Sequence, residues 1–478
     1  MPIAASEDRS FFGHPRGLSL LFLAEMWERF SYYGMRALLV LYMVHVLKWT
    51  DAHASNLYGS YTGLTFLTPL FGGYLADKWI GTRRSLVLGG CIIACGHFVL
   101  ALDTLTSFYA GLALVVIGTG FFKPNVSTMV GQLYQPGDQR RDAGFTIFYM
   151  GINLGGTIAP FVCGYFAQSV GFQQTLTGWG IDPARSWSWG FGAAGVGMLC
   201  GLVLYLSLRD RYLPAIGVRA THTGPTLASR GQVATLPPES PAEAPAAAPA
   251  GPLSPDERKR VISLLILFVF VACFWLVYEQ GGSSLNLFAD RYTDLNIGGK
   301  LVPSSYFQSA QPFFVIVLAP VFALLWGRLR KAGREPSTPA KMVFGLGLIA
   351  VGCLFLIGGG HVVDACKASH AATCAVASPG WLTTFYLFSV LGELCVSPVG
   401  LSYVTKVAPV RWVGFLMGAW FLTNSSGLKL AGFVASLASV MPTQVSFFAI
   451  LLVISSVAGL ALFLCVPTIK RLTASVQL

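Results

Sequence analysis

Eight ionisable side chains stand inside long apolar runs: Glu25, Glu28, Arg29, Arg36, Lys123, Glu279, Glu393 and Lys429. A charge at the centre of a lipid-spanning helix costs about 2.5–3.5 kcal/mol on insertion scales, so each marks a cavity or a partner. Four are acidic and four basic, so the set can neutralise itself. Protonating one carboxylate then frees a cation to pair elsewhere, which is an elementary basis for coupling movement to protons. The spacing in LAEMWERFSYYGMR, residues 23–36, sharpens this reading. Glu25 and Arg29 are four apart, as are Glu28 and Tyr32, and Arg36 follows Arg29 by seven, so one helix carries them as a stripe. No nucleophile with its base, HExxH pair or CxxC spacing accompanies them, so the chain is read as a non-enzyme without a metal.

The elements that hold these charges are membrane spans. The 478 residues are 54% apolar and 11% charged, against about 25% charged in a soluble domain. That composition excludes a cytosolic enzyme or a nucleic-acid binder, and no cleavable signal peptide precedes the first apolar run. Runs of spanning length occur near 18–47, 54–77, 85–102, 107–133, 143–170, 187–208, 261–281, 304–327, 340–361, 380–405, 412–438 and 444–467. Each is long enough for a transmembrane helix, at about 20 residues.

Twelve spans put both termini on one side. The loops of that side hold 23 of the 32 Lys and Arg residues, and the opposite loops hold five. By the positive-inside rule the termini are cytoplasmic, and the net charge of +11 reflects topology rather than a polyanionic partner. Short loops point to a bacterial inner membrane. Residues 209–260, rich in Pro and Ala, read as a disordered cytoplasmic linker between bundles at 1–208 and 261–478. Eight cysteines lie in apolar runs as small hydrophobes. Cys366 and Cys374 share a loop on the external side, where a disulfide is open to them.

Six spans, a linker and six spans resemble the major facilitator architecture, and GGYLADKWIGTRR, residues 72–84, resembles that superfamily's loop signature. A more specific likeness follows. EMWERFSYYG, residues 25–34, is similar to the ExxERFxYYG signature of the proton-dependent oligopeptide transporter family. GTGFFKPNVSTMVGQLY (118–134) and FTIFYMGINLGG (145–156) resemble its fourth- and fifth-helix motifs. FWLVYEQGGSSLNLFA from Phe274 and GELCVSPVGL from Gly392 resemble its seventh and tenth helices.

The resemblance implies an all-α integral membrane protein with the major facilitator fold, in which two six-helix bundles surround a central cavity. It implies a monomeric proton-coupled symporter that imports dipeptides and tripeptides by alternating access, with protons as the coupling ion and no cofactor. A carrier of a nitrate-like anion and a proton-driven exporter are the alternatives on the same scaffold. Proton coupling falls to Glu25, Glu28 and Arg29. Arg29 and Lys123 receive the peptide carboxylate, a planar fork and a movable point charge. Glu393, with Asn153 and an amide at Gln311, holds the amino terminus, and Tyr32, Tyr33, Tyr149, Trp275, Ser397 and Trp420 form the walls. Arg36 pairs with Glu279 as an outer gate whose two residues also contact the peptide, and Lys123 with Glu393 as an inner one. Phe66 stands where the family usually has a cavity tyrosine, so one hydroxyl contact is lost. Gly59 stands where some members have a functional histidine. No 20-residue apolar run lies between the bundles, so twelve spans are expected rather than fourteen. The resemblance assigns no role to Lys429.

Overall fold

The computed structural model describes residues 10–135, 138–214, 216–217, 253–370 and 373–475. Among these, twelve helices reach 19 residues or more. The first six are α1 Gly17–His45, α2 Asp51–Leu75, α3 Thr82–Leu100, α4 Leu105–Gln132, α5 Arg140–Gln168 and α6 Ser186–Tyr212. The second six are α7 Pro255–Tyr278, α8 Ala310–Lys331, α9 Thr338–Ala368, α10 Pro379–Val407, α11 Val413–Leu437 and α12 Gln444–Leu472. Nine of these helical stretches are long and apolar enough to cross a membrane, and α1, α2 and α11 fall short. The shortfall has a physical cause. α1 carries Glu25, Glu28, Arg29 and Arg36, which it turns towards protein, α2 is rich in Gly, Ser and Thr, and α11 carries Asn424 and Lys429.

Helix starts are coded locally. Thr104, Ser254 and Thr443 close capping boxes at α4, α7 and α12, and Pro255 takes the first helical position of α7. Ser254 and Pro255 start α7 inside the expected linker, and α6 also runs into it, to Tyr212, so the helix boundaries do not fall near 208 and 261. The linker expectation otherwise falls mainly on residues 218–252, which lie outside the described residues.

Between α7 and α8 the chain does more than turn, which the sequence reading did not anticipate. α7 stops at Tyr278, a 3-10 turn spans Glu279–Gly282, and a short helix Ser284–Tyr292 follows. A two-stranded antiparallel hairpin then pairs Asn296 with Leu301 and Ile297 with Lys300. This break occurs at the face opposite the termini. On the same face, Cys366 at the end of α9 is joined to Cys374 by a disulfide, with Cα atoms 5.8 Å apart.

Within the first bundle α1 packs on α5 and α6, and α3 on α4; within the second, α9 packs on α10 and α12. The bundles meet along α2 with α11 and α5 with α8. Within the first bundle, Gly155 shows how closely α5 meets α1: a Cβ there would lie 2.2 Å from the Met26 carbonyl oxygen. Only glycine allows this approach, which brings the chemistry-bearing stripe of α1 against the face of α5 that carries Tyr149 and Asn153.

Candidate functional site

The stripe on α1 faces inward and is buried. Arg29, 4% exposed, lies against both carboxylates of its own helix. It bonds Glu28 through two nitrogens, one contact being Nη2 to Oε1 at 2.6 Å, and its Nε lies 3.3 Å from Glu25 Oε1. Its guanidinium also sits 5.0 Å from the Tyr32 ring centroid. Glu28 is fully enclosed, whereas Glu25 and Arg29 line a central cavity of about 150 Å³. The second Glu25 oxygen has no hydrogen-bond partner among the described residues. Lys123 on α4 also reaches this cavity, its ammonium 4.1 Å above the Phe66 ring centroid. Phe66 therefore offers a π face where a tyrosine would have offered a hydroxyl.

The opposite wall belongs to the second bundle. Glu393 on α10 accepts a hydrogen bond from Tyr278 OH at 2.6 Å. Gln311 lies at the start of α8, and its amide nitrogen is 3.4 Å from Ser389 Oγ. Trp275 Nε1, Ser397 Oγ and Asn424 Oδ1 are buried on this wall without a hydrogen-bond partner among the described residues. A buried polar atom left unpaired costs about 1–3 kcal/mol, so these atoms and the free Glu25 oxygen are poised for a polar ligand. Arg29, Arg36 and Lys123, with Glu25 beside Arg29, thus stand on the first-bundle side, and Glu279 and Glu393 on the other.

Towards the face opposite the termini the bundles are tied together. Arg36 Nη2 lies 2.5 Å from Glu279 Oε2, and its Nε donates to Tyr58 OH at 2.5 Å. The helix break places Glu279 where α7 ends, so its carboxylate reaches α1 across the bundle boundary. Further out, His45 bonds Asp290 at 2.6 Å, Arg291 holds Asp51 through two nitrogens at 2.5 and 2.8 Å, and Asn286 donates to the Ala37 carbonyl at 2.9 Å. Gln168 ties α5 to Ser304 at 3.0 Å. Apart from the Arg36–Tyr58 bond, which lies within the first bundle, each of these contacts joins the first bundle to the second.

Comparison with known proteins agrees with this geometry. The POT family model matches residues 83–214 and 251–451. A peptide transporter of Yersinia enterocolitica, YePEPT, is 36% identical over 98% of this chain and 97% of its own. The chain belongs to the POT family, the proton-dependent oligopeptide transporters. A di-/tripeptide transporter of Lactococcus lactis subsp. cremoris is 33% identical over 98% of this chain and 99% of its own. Among solved structures, a mutant of the peptide transporter POT in complex with alafosfalin superposes with a TM-score of 0.82, at 34% identity and 98% coverage of both chains. The shared fold is that of the major facilitator superfamily, and the chain is a multi-pass membrane transporter rather than an enzyme.

All the residues that POT resemblance marked for peptide contact line the one cavity: Arg29, Tyr32, Tyr33, Arg36, Lys123, Tyr149, Asn153, Trp275, Glu279, Gln311, Glu393, Ser397 and Trp420. One expected contact is not made. Lys123 does not pair with Glu393; it lies over Phe66, and Glu393 accepts from Tyr278 instead. The physical reason is conformational, because the bundles are joined towards the far face, where Arg36 and Glu279 meet. Sequence reasoning also passed over Tyr278 and Asn424. Tyr278 had a signal, since it precedes Glu279, and Asn424 stands one turn beyond Trp420 on the same face of α11. Gly59, the position at which the resemblance implies a histidine in some members, is turned away from the cavity: a Cβ there would meet Gly432 Cα at 2.8 Å.

Proposed function

We propose that this protein is a proton-coupled symporter that imports dipeptides and tripeptides across the bacterial inner membrane, with both termini in the cytoplasm. The observation that carries this reading is the polarity of the cavity. Arg29 and Lys123 on the first bundle and Glu393 on the second offer opposite signs at opposite walls, which suits a zwitterion better than a simple anion. The peptide carboxylate goes to Arg29 and Lys123, and the amino terminus to Glu393, Asn153 and Gln311. Within this reading the transport unit is a single chain.

Proton coupling follows from the α1 cluster. Arg29 is shared by Glu25 and Glu28, so protonating one of these carboxylates loosens its hold and frees the guanidinium for a substrate carboxylate. In the state described here the outer gate, Arg36 with Glu279, is made and the inner pair, Lys123 with Glu393, is open. Making one while breaking the other rocks the bundles about the cavity, and substrate and protons bias that exchange by binding the two states unequally. The external disulfide is consistent with the assigned sidedness.

The test is uptake of labelled dialanine into proteoliposomes under an inward proton gradient. Accumulation that a protonophore abolishes supports the reading. Folded protein that accumulates no peptide, but does accumulate nitrate or drives export, overturns it.

A further inference from the structure

We infer that Lys429 is a latch between the bundles: its ammonium, seated on α2, stabilises the externally closed state and so sets how readily the transporter reopens outward. The inference rests on the alternating-access reading above. It begins from the antiparallel seam between α2 and α11. Asn56, Ser60 and Gly63 on α2 recur at helical spacing, as do Ser425, Lys429 and Gly432 on α11, so each set forms one face. Gly59 meets Gly432 with almost no space between backbones, and Ser425 Oγ donates to the Gly63 carbonyl at 2.8 Å. Between these contacts Lys429 Nζ donates to Ser60 Oγ at 2.6 Å and lies 3.4 Å from the Asn56 carbonyl oxygen. Ser60 Oγ in turn donates to that same carbonyl at 2.8 Å.

Lys429 is exposed at the outer edge of this seam, and among the described residues no carboxylate pairs with it. It stands eight residues before the end of α11, and Ser60 nine residues after the start of α2. At 1.5 Å per residue both lie roughly 12–13 Å below the external helix ends, within the depth of hydrocarbon. An ammonium at that depth needs oxygen partners. The ones it has belong to the other bundle. The glycine contacts are apolar and tolerate sliding, whereas the ammonium is directional and loses both oxygens when α2 and α11 part on external opening. Its preference is therefore for one state of the cycle, which makes it a positioning residue for transport rather than a plain surface charge.

Hydrogen bonds from a charged donor change an equilibrium by about ten- to a hundredfold. Spin labels introduced as unnatural amino acids at Leu102 and Leu301, exposed on opposite bundles at the external face, report opening by their distance distribution. In nanodiscs without substrate, Lys429→Met should raise the ratio of externally open to closed protein about tenfold or more, and Lys429→Arg should largely restore it. Unchanged distributions in Lys429→Met with a native unfolding temperature overturn the proposal. Should Lys429→Met fail to fold, Ser60→Ala keeps the cation and removes the nearer of its two acceptors. A rise in the open population then supports the latch, and none overturns it. Failure of the wild-type protein to take up peptide would count against the proposed function alone, because these distances are read without substrate.

Discussion

Replacing Glu279 with Gln probes the outer gate in isolation. Arg36 is buried, and Glu279 Oε2 at 2.5 Å is its carboxylate partner, with Tyr58 OH as a neutral second acceptor. Removing one partner of a buried ion pair costs about 3–5 kcal/mol, because the remaining charge is left uncompensated. Gln keeps an acceptor oxygen and Tyr58 stays in place, so the loss is nearer that of one charged hydrogen bond, about 1.5–3 kcal/mol. That cost falls on the externally closed state alone, since Arg36 is hydrated once α1 and α7 separate. At about 1.4 kcal/mol per decade, the open-to-closed ratio should rise roughly 10- to 100-fold. Glu279→Ala, which removes the acceptor as well, should shift it further. The assay is the rate at which a membrane-impermeant thiol reagent, added outside, modifies a cysteine placed at Ser397 on the cavity wall. Modification no faster in Glu279→Gln than in its parent would refute the gate assignment, provided the variant unfolds at the parental temperature.

Three further outcomes follow from the same geometry. Glu28→Gln fixes the neutral form of the carboxylate that holds Arg29 most closely, so gradient-driven dialanine uptake should fall at least tenfold while peptide exchange persists; full gradient-driven uptake would remove Glu28 from the coupling. Phe66→Tyr adds a hydroxyl beneath Lys123 and should leave uptake intact while changing relative KM values among dipeptides by about two- to tenfold, read by competition; total loss of uptake would mean that the cavity is assigned wrongly. Glu335, in the loop between α8 and α9, is partly buried, which opposes its ionisation, but bonds from Arg330 at 2.9 Å and Lys341 at 2.5 Å outweigh this and hold its carboxyl below the usual range. A depressed carboxyl contributes stability that is present above its unfolded value, near 4.5, and is lost as pH falls through the folded value. The unfolding temperature of the parent should therefore exceed that of Glu335→Gln near pH 6, and the gap should narrow as pH falls below 4.5; a constant gap across that range would contradict the assignment.

The charges on α1 were legible because an apolar run has no reason to hold Glu25, Glu28, Arg29 and Arg36 unless they meet one another or a cavity. Lys123, Glu279 and Glu393 were legible on the same ground, and matched motifs gave each a partner. Less visible was anything that depends on conformation. Sequence names Lys123 and Glu393 as facing residues but not whether they touch in a given state, and here Phe66 and Tyr278 take their places. Tyr278 and Asn424 were passed over because a tyrosine or an asparagine amid apolar residues reads as packing until its neighbours are known. The broken end of α7 was hidden by the hydrophobic run that contains it: only Gly281 and Gly282 signal that the helix ends at Tyr278. Lys429 was visible as an unexplained charge, but its partners Ser60 and Asn56 lie more than 360 residues away, beyond the reach of spacing arguments.

Coupling of peptide to proton is the central claim, and internal acidification tests it most directly. Proteoliposomes loaded with a pH-sensitive dye and held at equal pH on both sides, with a negative interior potential, should acidify when dialanine is added outside. Glu28→Gln should abolish that signal. Peptide uptake that proceeds at the same rate without any movement of protons would contradict the account.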